Sequence, residues 1–177
     1  MVKYIIAIHH MEQIGGIKSD YLIPGFYGQI FNGELSGRKL VISTDETFLQ
    51  ISDFKKPDIR FYAQWWPGNV VNYDIKTIQQ DGTHHPEIFA GKMLEFSIEY
   101  FEEHGFPVDS IQARWSSKPG KRRNYSEFQE AKKYGLSNEE AALVTWTGIH
   151  AFRLGYRNVE VDDQGESVIA VFSIEEK

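Results

Sequence analysis

The densest chemistry in the sequence is cationic. Arg114, Lys118, Lys121, Arg122 and Arg123 follow one another with no acidic residue between them, and Trp115 and Tyr125 flank them. Cations neutralise phosphates and aromatic faces stack on bases, so this composition suits RNA or a nucleotide. Pro119-Gly120 is a turn signal that would throw the basic segment outward as a loop. The competing reading is a solvated turn that offsets an acidic frame. Residues 114–133 carry a net charge of +5 in a chain whose net charge is −6.

The histidines are the next candidates. They occur as His9-His10 and His84-His85, with His104 and His150 alone. Ligands on one helix face need a spacing such as i, i+4, and adjacent histidines share no face of a helix or strand. No metal site and no cofactor follow from this pattern. Histidine as a residue type titrates near neutrality, so His85 could act as a general base beside the basic segment. There is no P-loop, no glycine-rich dinucleotide fingerprint and no nucleophile elbow. The carboxylate pairs Glu102-Glu103 and Glu139-Glu140 read as solvated helix ends.

A third stretch is Thr145-Trp146-Thr147-Gly148, four mediocre helix formers inside a segment that otherwise reads as one helix from Ser137 to about Leu154. On such a helix Ala141, Thr145, Gly148 and Phe152 share a face that is small in its middle. One reading makes Trp146 a core anchor and Gly148 the room for a crossing element. The other lets Thr145 and Thr147 present hydroxyls to a ligand beside Trp146, although threonine can also bond its own backbone.

The elements that must hold these residues follow from length and pattern. The chain has 177 residues, 41% hydrophobic and 25% charged, with no cysteine. That is enough for one domain with a real core and excludes a disulfide framework or thiolate chemistry. The start "MVKYIIAIHH" is too short in apolar length for a signal peptide, and no run is long enough to span a bilayer. This predicts a cytoplasmic protein, or a secreted one if it was cut from a larger secreted protein, with no membrane partner.

The first eighty residues read as about six short strands, "KYIIAIHH", "FYGQIFNGEL", "RKLVIS", "TFLQIS", "DIRFYAQWW" and "VVNYDIKTI". Turn signals fall at Asn32-Gly33, Gly37, Thr44-Asp45 and Pro67-Gly68. The period then changes. His85 and Pro86 fit the N-cap and first position of a helix running to Gly105, with apolar rows at Ala90, Leu94, Ile98, Phe101 and at Phe89, Met93, Phe96, Tyr100. "VDSIQARWS" is a strand, "SEFQEAKKYG" a short helix, and Ser137-x-x-Glu140 a capping box for the third helix. "RNVEV" and "SVIAVFSI" form a closing hairpin around "DDQGE". The fold class is α+β: an N-terminal antiparallel β-meander, three helices and a C-terminal β-hairpin. We read it as a single domain over 1–177, β-rich to 82 and helix-rich from 83.

The order of residues in the second half resembles C-terminal modules of bacterial polymorphic toxins. The pattern is Trp115, then Asn124-Tyr125-x-x-Phe128-x-x-Ala131, then Ala141-Ala142-x-x-Thr145-Trp146-Thr147-Gly148-x-x-Ala151, then Gly155-Tyr156-x-x-Val159. It covers residues 84–174. The resemblance implies a bacterial, toxin-related module and assigns no reaction. Two functions follow as expectations. The first is binding of, or action on, RNA or a nucleotide, with Arg114, Trp115, Lys121, Arg122, Arg123, Tyr125, Thr145 and Thr147 meeting in one cleft. The second is a non-enzymatic protein-binding domain, or a homodimer, using an aromatic β-surface around Tyr62, Trp65 and Trp66.

Overall fold

The computed structural model describes residues 29–35, 38–45, 47–53, 60–76, 87–118 and 122–175. They form eight strands and four helices in an α+β arrangement with a mixed sheet. The strands are β1 (Gln29–Leu35), β2 (Arg38–Asp45), β3 (Phe48–Asp53), β4 (Arg60–Trp66), β5 (Val70–Lys76), β6 (Ser110–Ser116), β7 (Asn158–Asp163) and β8 (Ser167–Ser173). The helices are α1 (Glu87–Glu103), α2 (Arg122–Lys133), α3 (Asn138–Leu143) and α4 (Trp146–Arg153). The described residues fall into two compact units. One lies within Met1–Gln64 and Asp74–Tyr100, the other within Trp65–Tyr73 and Phe101–Lys177. Among the described residues, no helix is long and apolar enough to cross a membrane.

In the first unit β1, β2, β3 and β4 are neighbours in that order, and the three successive pairings are antiparallel. The Asn32-Gly33 turn expected from sequence is instead part of β1, where Asn32 pairs with Val41 and Gly33 with Leu40. Pairing runs on to Leu35 and Arg38, so the strand's register overrides the local turn preference. Leu49, Ile51, Phe61 and Ala63 are buried on β3 and β4, and Ala90, Met93, Leu94, Phe96 and Ile98 on α1. The Thr44 and Tyr100 hydroxyls share a hydrogen bond of 2.8 Å. The expected strand "KYIIAIHH" and the N-cap at His85 lie outside the described residues.

In the second unit the order is β5, β6, β8, β7. β5 and β6 pair in parallel from Val70↔Ser110 to Asn72↔Gln112, while β6–β8 and β8–β7 are antiparallel. Ile111, Ala113 and Trp115 of β6 and Val168, Ala170 and Phe172 of β8 are buried on one face. That face is covered by α2, whose Phe128 ring lies 5.9 Å from the Trp115 ring. The closing hairpin of β7 and β8 completes the sheet, and Lys132 of α2 is tied to Asp163 of β7 at 2.5 Å.

Two helix expectations need correction. The single helix from Ser137 to Leu154 is two helices, α3 and α4, so the described residues hold four helices rather than three. The capping box of Ser137 and Glu140 opens α3 as expected. The reason for the break is Thr145, whose extended backbone (φ −69, ψ 163) and side chain make it a second N-cap. The short helix expected at Ser126 begins earlier, at Arg122. Arginine is a good helix former, and Arg123 reaches Glu127 one turn on at 2.9 Å, so nothing beyond Gly120 stops the helix from starting. Arg122 and Arg123, expected in the basic loop, are therefore helical.

Candidate functional site

The candidate residues lie in the second unit, where β6 leads into α2 and α2 meets α4. The Thr145-Trp146-Thr147-Gly148 stretch turns out to be the N-terminus of α4. The first amides of a helix have no carbonyl partner within it. Here each of three finds a side chain. Trp146 N–H donates to Glu127 Oε2 at 2.7 Å. Thr147 N–H donates to Asn124 Oδ1 at 3.0 Å. Gly148 N–H donates to Thr145 Oγ1 at 3.1 Å, and that hydroxyl donates onward to Ala142 O at 2.7 Å. Glu127 also places a carboxylate at the positive end of the α4 dipole, which is favourable.

The two threonine hydroxyls are thus inside the protein. Both residues are fully buried. Thr147 Oγ1 accepts from the Tyr73 hydroxyl at 2.8 Å. Gly148 is required by space: a Cβ there would meet Ala142 O at 2.2 Å and Leu143 Cα at 2.6 Å. The packing reading of this tetrapeptide accounts for every one of these contacts. Trp146 itself is half-buried, with the His150 ring 4.3 Å away on the next turn.

The other candidates separate. Arg114 is exposed on β6, on the opposite side of the strand from Trp115 and hence from α2. Trp115 is buried between Phe128 and Phe172, its indole N–H without a partner. It offers core area and no free stacking face. Tyr125 is half-buried and its hydroxyl donates to Gly165 O at 2.7 Å. Lys118 is exposed at the end of the segment that follows β6. Arg123 is exposed and paired with Glu127, and Arg122 opens α2. Lys121 and His85 lie outside the described residues.

Arg123 and the Thr145–Thr147 stretch are therefore brought together through Glu127, but Arg114, Trp115 and Tyr125 do not join them in a cleft. Among the described residues no cluster of histidine and carboxylate side chains could hold a metal ion. The residues that sequence reasoning missed are Tyr73, Asn124 and Glu127. Asn124 and Glu127 stand three apart, on one side of α2, which is the spacing needed to reach two successive amides of a crossing helix. Thr145 as a second capping residue so soon after Ser137 was the available signal.

Two titrating groups brace this unit. Burial pushes the Tyr156 phenol well above its ordinary value, helped by Glu102 and Asp109, and its hydroxyl donates to Val108 O at 3.1 Å. The Lys132 hydrogen bond holds the Asp163 carboxyl below its ordinary value against a smaller opposing effect of burial. No protein-family model matches the chain, and neither a curated protein nor a solved structure matches it.

Proposed function

We propose that this chain is a toxin-related module that binds RNA or a nucleotide by its phosphates, at the connection from β6 to α2. The observation that carries this reading is the first turn of α2, which holds Arg122 and Arg123 and no acidic residue. A helix N-terminus is partly positive and favours anions, and here basic side chains add to it. Lys118 stands exposed just upstream. Of these cations, Arg123 is partly neutralised by Glu127.

The inward placement of Trp115 and the engaged hydroxyl of Tyr125 shift the emphasis from bases to phosphates. Phosphate contacts position a nucleic acid without reading its sequence. The expected binding is therefore indifferent to base identity and strongly dependent on salt. A protein-binding reading rests on Trp66, 44% exposed at the end of β4, whereas Trp65 packs on Phe106 and donates to Pro107 O.

The test is binding of labelled single-stranded RNA and of a nucleoside triphosphate to the purified chain and to Lys118→Ala/Arg122→Ala. Binding by the parent and its loss in the variant support the reading. Equal binding by both places any phosphate site elsewhere. No binding of either probe at low salt leaves the exposed Trp66 as the stronger lead.

A further inference from the structure

The second face of the β6–β8–β7 sheet carries a pattern that the phosphate reading does not use. Cross-strand partners point to one face. Arg114 pairs with Ile169 and Ile169 with Asp162, so these three form a row across the strands. Gln112, Val171 and Glu160 form the next row. The face opposite to theirs is the one buried under α2. On this outer face Arg114, Asp162 and Glu160 are exposed, and Gln112, Ile169 and Val171 are half-buried.

A sheet face that simply meets water is expected to be polar along its middle. Here the central strand β8 presents Ile169 and Val171, two β-branched apolar residues. The basic group stands on one flank and the acidic groups on the other. Among the described residues no carboxylate pairs with Arg114. Among the described residues, Asp162 accepts a neutral donor, Gln164 Nε2, at 2.6 Å.

We infer that this face is where two copies of the chain associate. A two-fold axis parallel to β8 and midway between two stacked sheets exchanges the flanks. It sets β6 of one copy over β7 of the other and leaves β8 over β8. Because Arg114, Ile169 and Asp162 share a row, the same operation puts Arg114 of each copy opposite Asp162 of its partner, and Ile169 against Ile169. The second row brings Gln112 over Glu160 and Val171 over Val171. The face is self-complementary, as an isologous dimer requires. Sheets stack at about 10 Å, a distance that facing β-branched side chains and an arginine reaching a carboxylate can fill.

Sedimentation equilibrium of the full chain tests this. The parent chain is expected to be a dimer. Arg114→Glu alone and Asp162→Arg alone each turn both symmetric pairs into repulsions, and each is expected to weaken self-association by about tenfold or more. Mixing the two variants restores both pairs in the mixed dimer, so the mixture is expected to dimerise where neither variant does. A parent that is monomeric at the highest concentration overturns the inference. So does a dimer that neither substitution weakens, or a mixture that stays monomeric.

Discussion

The side-chain oxygen of Asn124 accepts the backbone N–H of Thr147 at 3.0 Å. Glu127 does the same for Trp146 at 2.7 Å. One face of α2 thus supplies the acceptors that α4 lacks at its start. This end of α4 is already occupied by the protein's own carboxylate and carboxamide. An external anion finds no open amide there, and the phosphate-binding reading therefore falls on α2.

Removing these acceptors should loosen the α2–α4 contact. Asn124→Ala leaves the amide of the buried Thr147 without this partner, a loss of about 1–3 kcal/mol. Glu127→Ala removes a charge-assisted bond as well, and about 1.5–3 kcal/mol is expected. Glu127→Gln keeps an acceptor and should cost less than Glu127→Ala. Urea denaturation of the three variants checks the order.

Gly148→Ala should be more damaging than its size suggests. The added methyl meets backbone atoms of Ala142 and Leu143, which cannot move aside as a flexible side chain would. Overpacking of this kind costs about 1–3 kcal/mol or more. A thermal melt no lower than that of the parent would contradict the close approach.

The close approach expected at Gly148 is present and the unbroken helix expected through its neighbours is not, and the reason is physical. Small residues on one face announce a close crossing, whatever crosses. The break between α3 and α4 depends on acceptors from α2, which are distant in sequence and leave no local mark beyond Thr145. The β7–β8 hairpin and the capping box of Ser137 and Glu140 were legible because each is a local pattern. The burial of Trp115 was not, since the same tryptophan beside a basic run fits a stacking platform or a core. Nor does any local signal announce the parallel pairing of β5 and β6, which joins strands separated by α1.

Acid should weaken the tie between α2 and β7. The Asp163 carboxyl is held below its ordinary 3.8 by Lys132, so between the folded and unfolded values the folded chain binds fewer protons. That contribution is present above the unfolded value and is lost as pH falls through the folded one. The pair is partly open to solvent, so about 1 kcal/mol or less is at stake. Asp163→Asn should lose stability at neutral pH and match the parent in strong acid.

Alkali should act through Tyr156. Its phenol stays protonated in the fold well past the ordinary 10.0, because burial disfavours the anion. The unfolded chain releases that proton first, so stability declines as pH rises above the unfolded value toward the folded one. Difference absorbance should show one tyrosine ionising only as the chain unfolds, and Tyr156→Phe should abolish that step.

The most direct test of the phosphate-binding claim is the salt dependence of RNA affinity. Log affinity for single-stranded RNA should fall linearly with log salt, with equal slopes for oligouridine and oligoadenine. If Lys118→Ala/Arg122→Ala removes two phosphate contacts, the slope should drop by about 1.4. An affinity that differs sharply between the two RNAs, or a slope unchanged in the variant, would contradict recognition of phosphates at the β6–α2 connection.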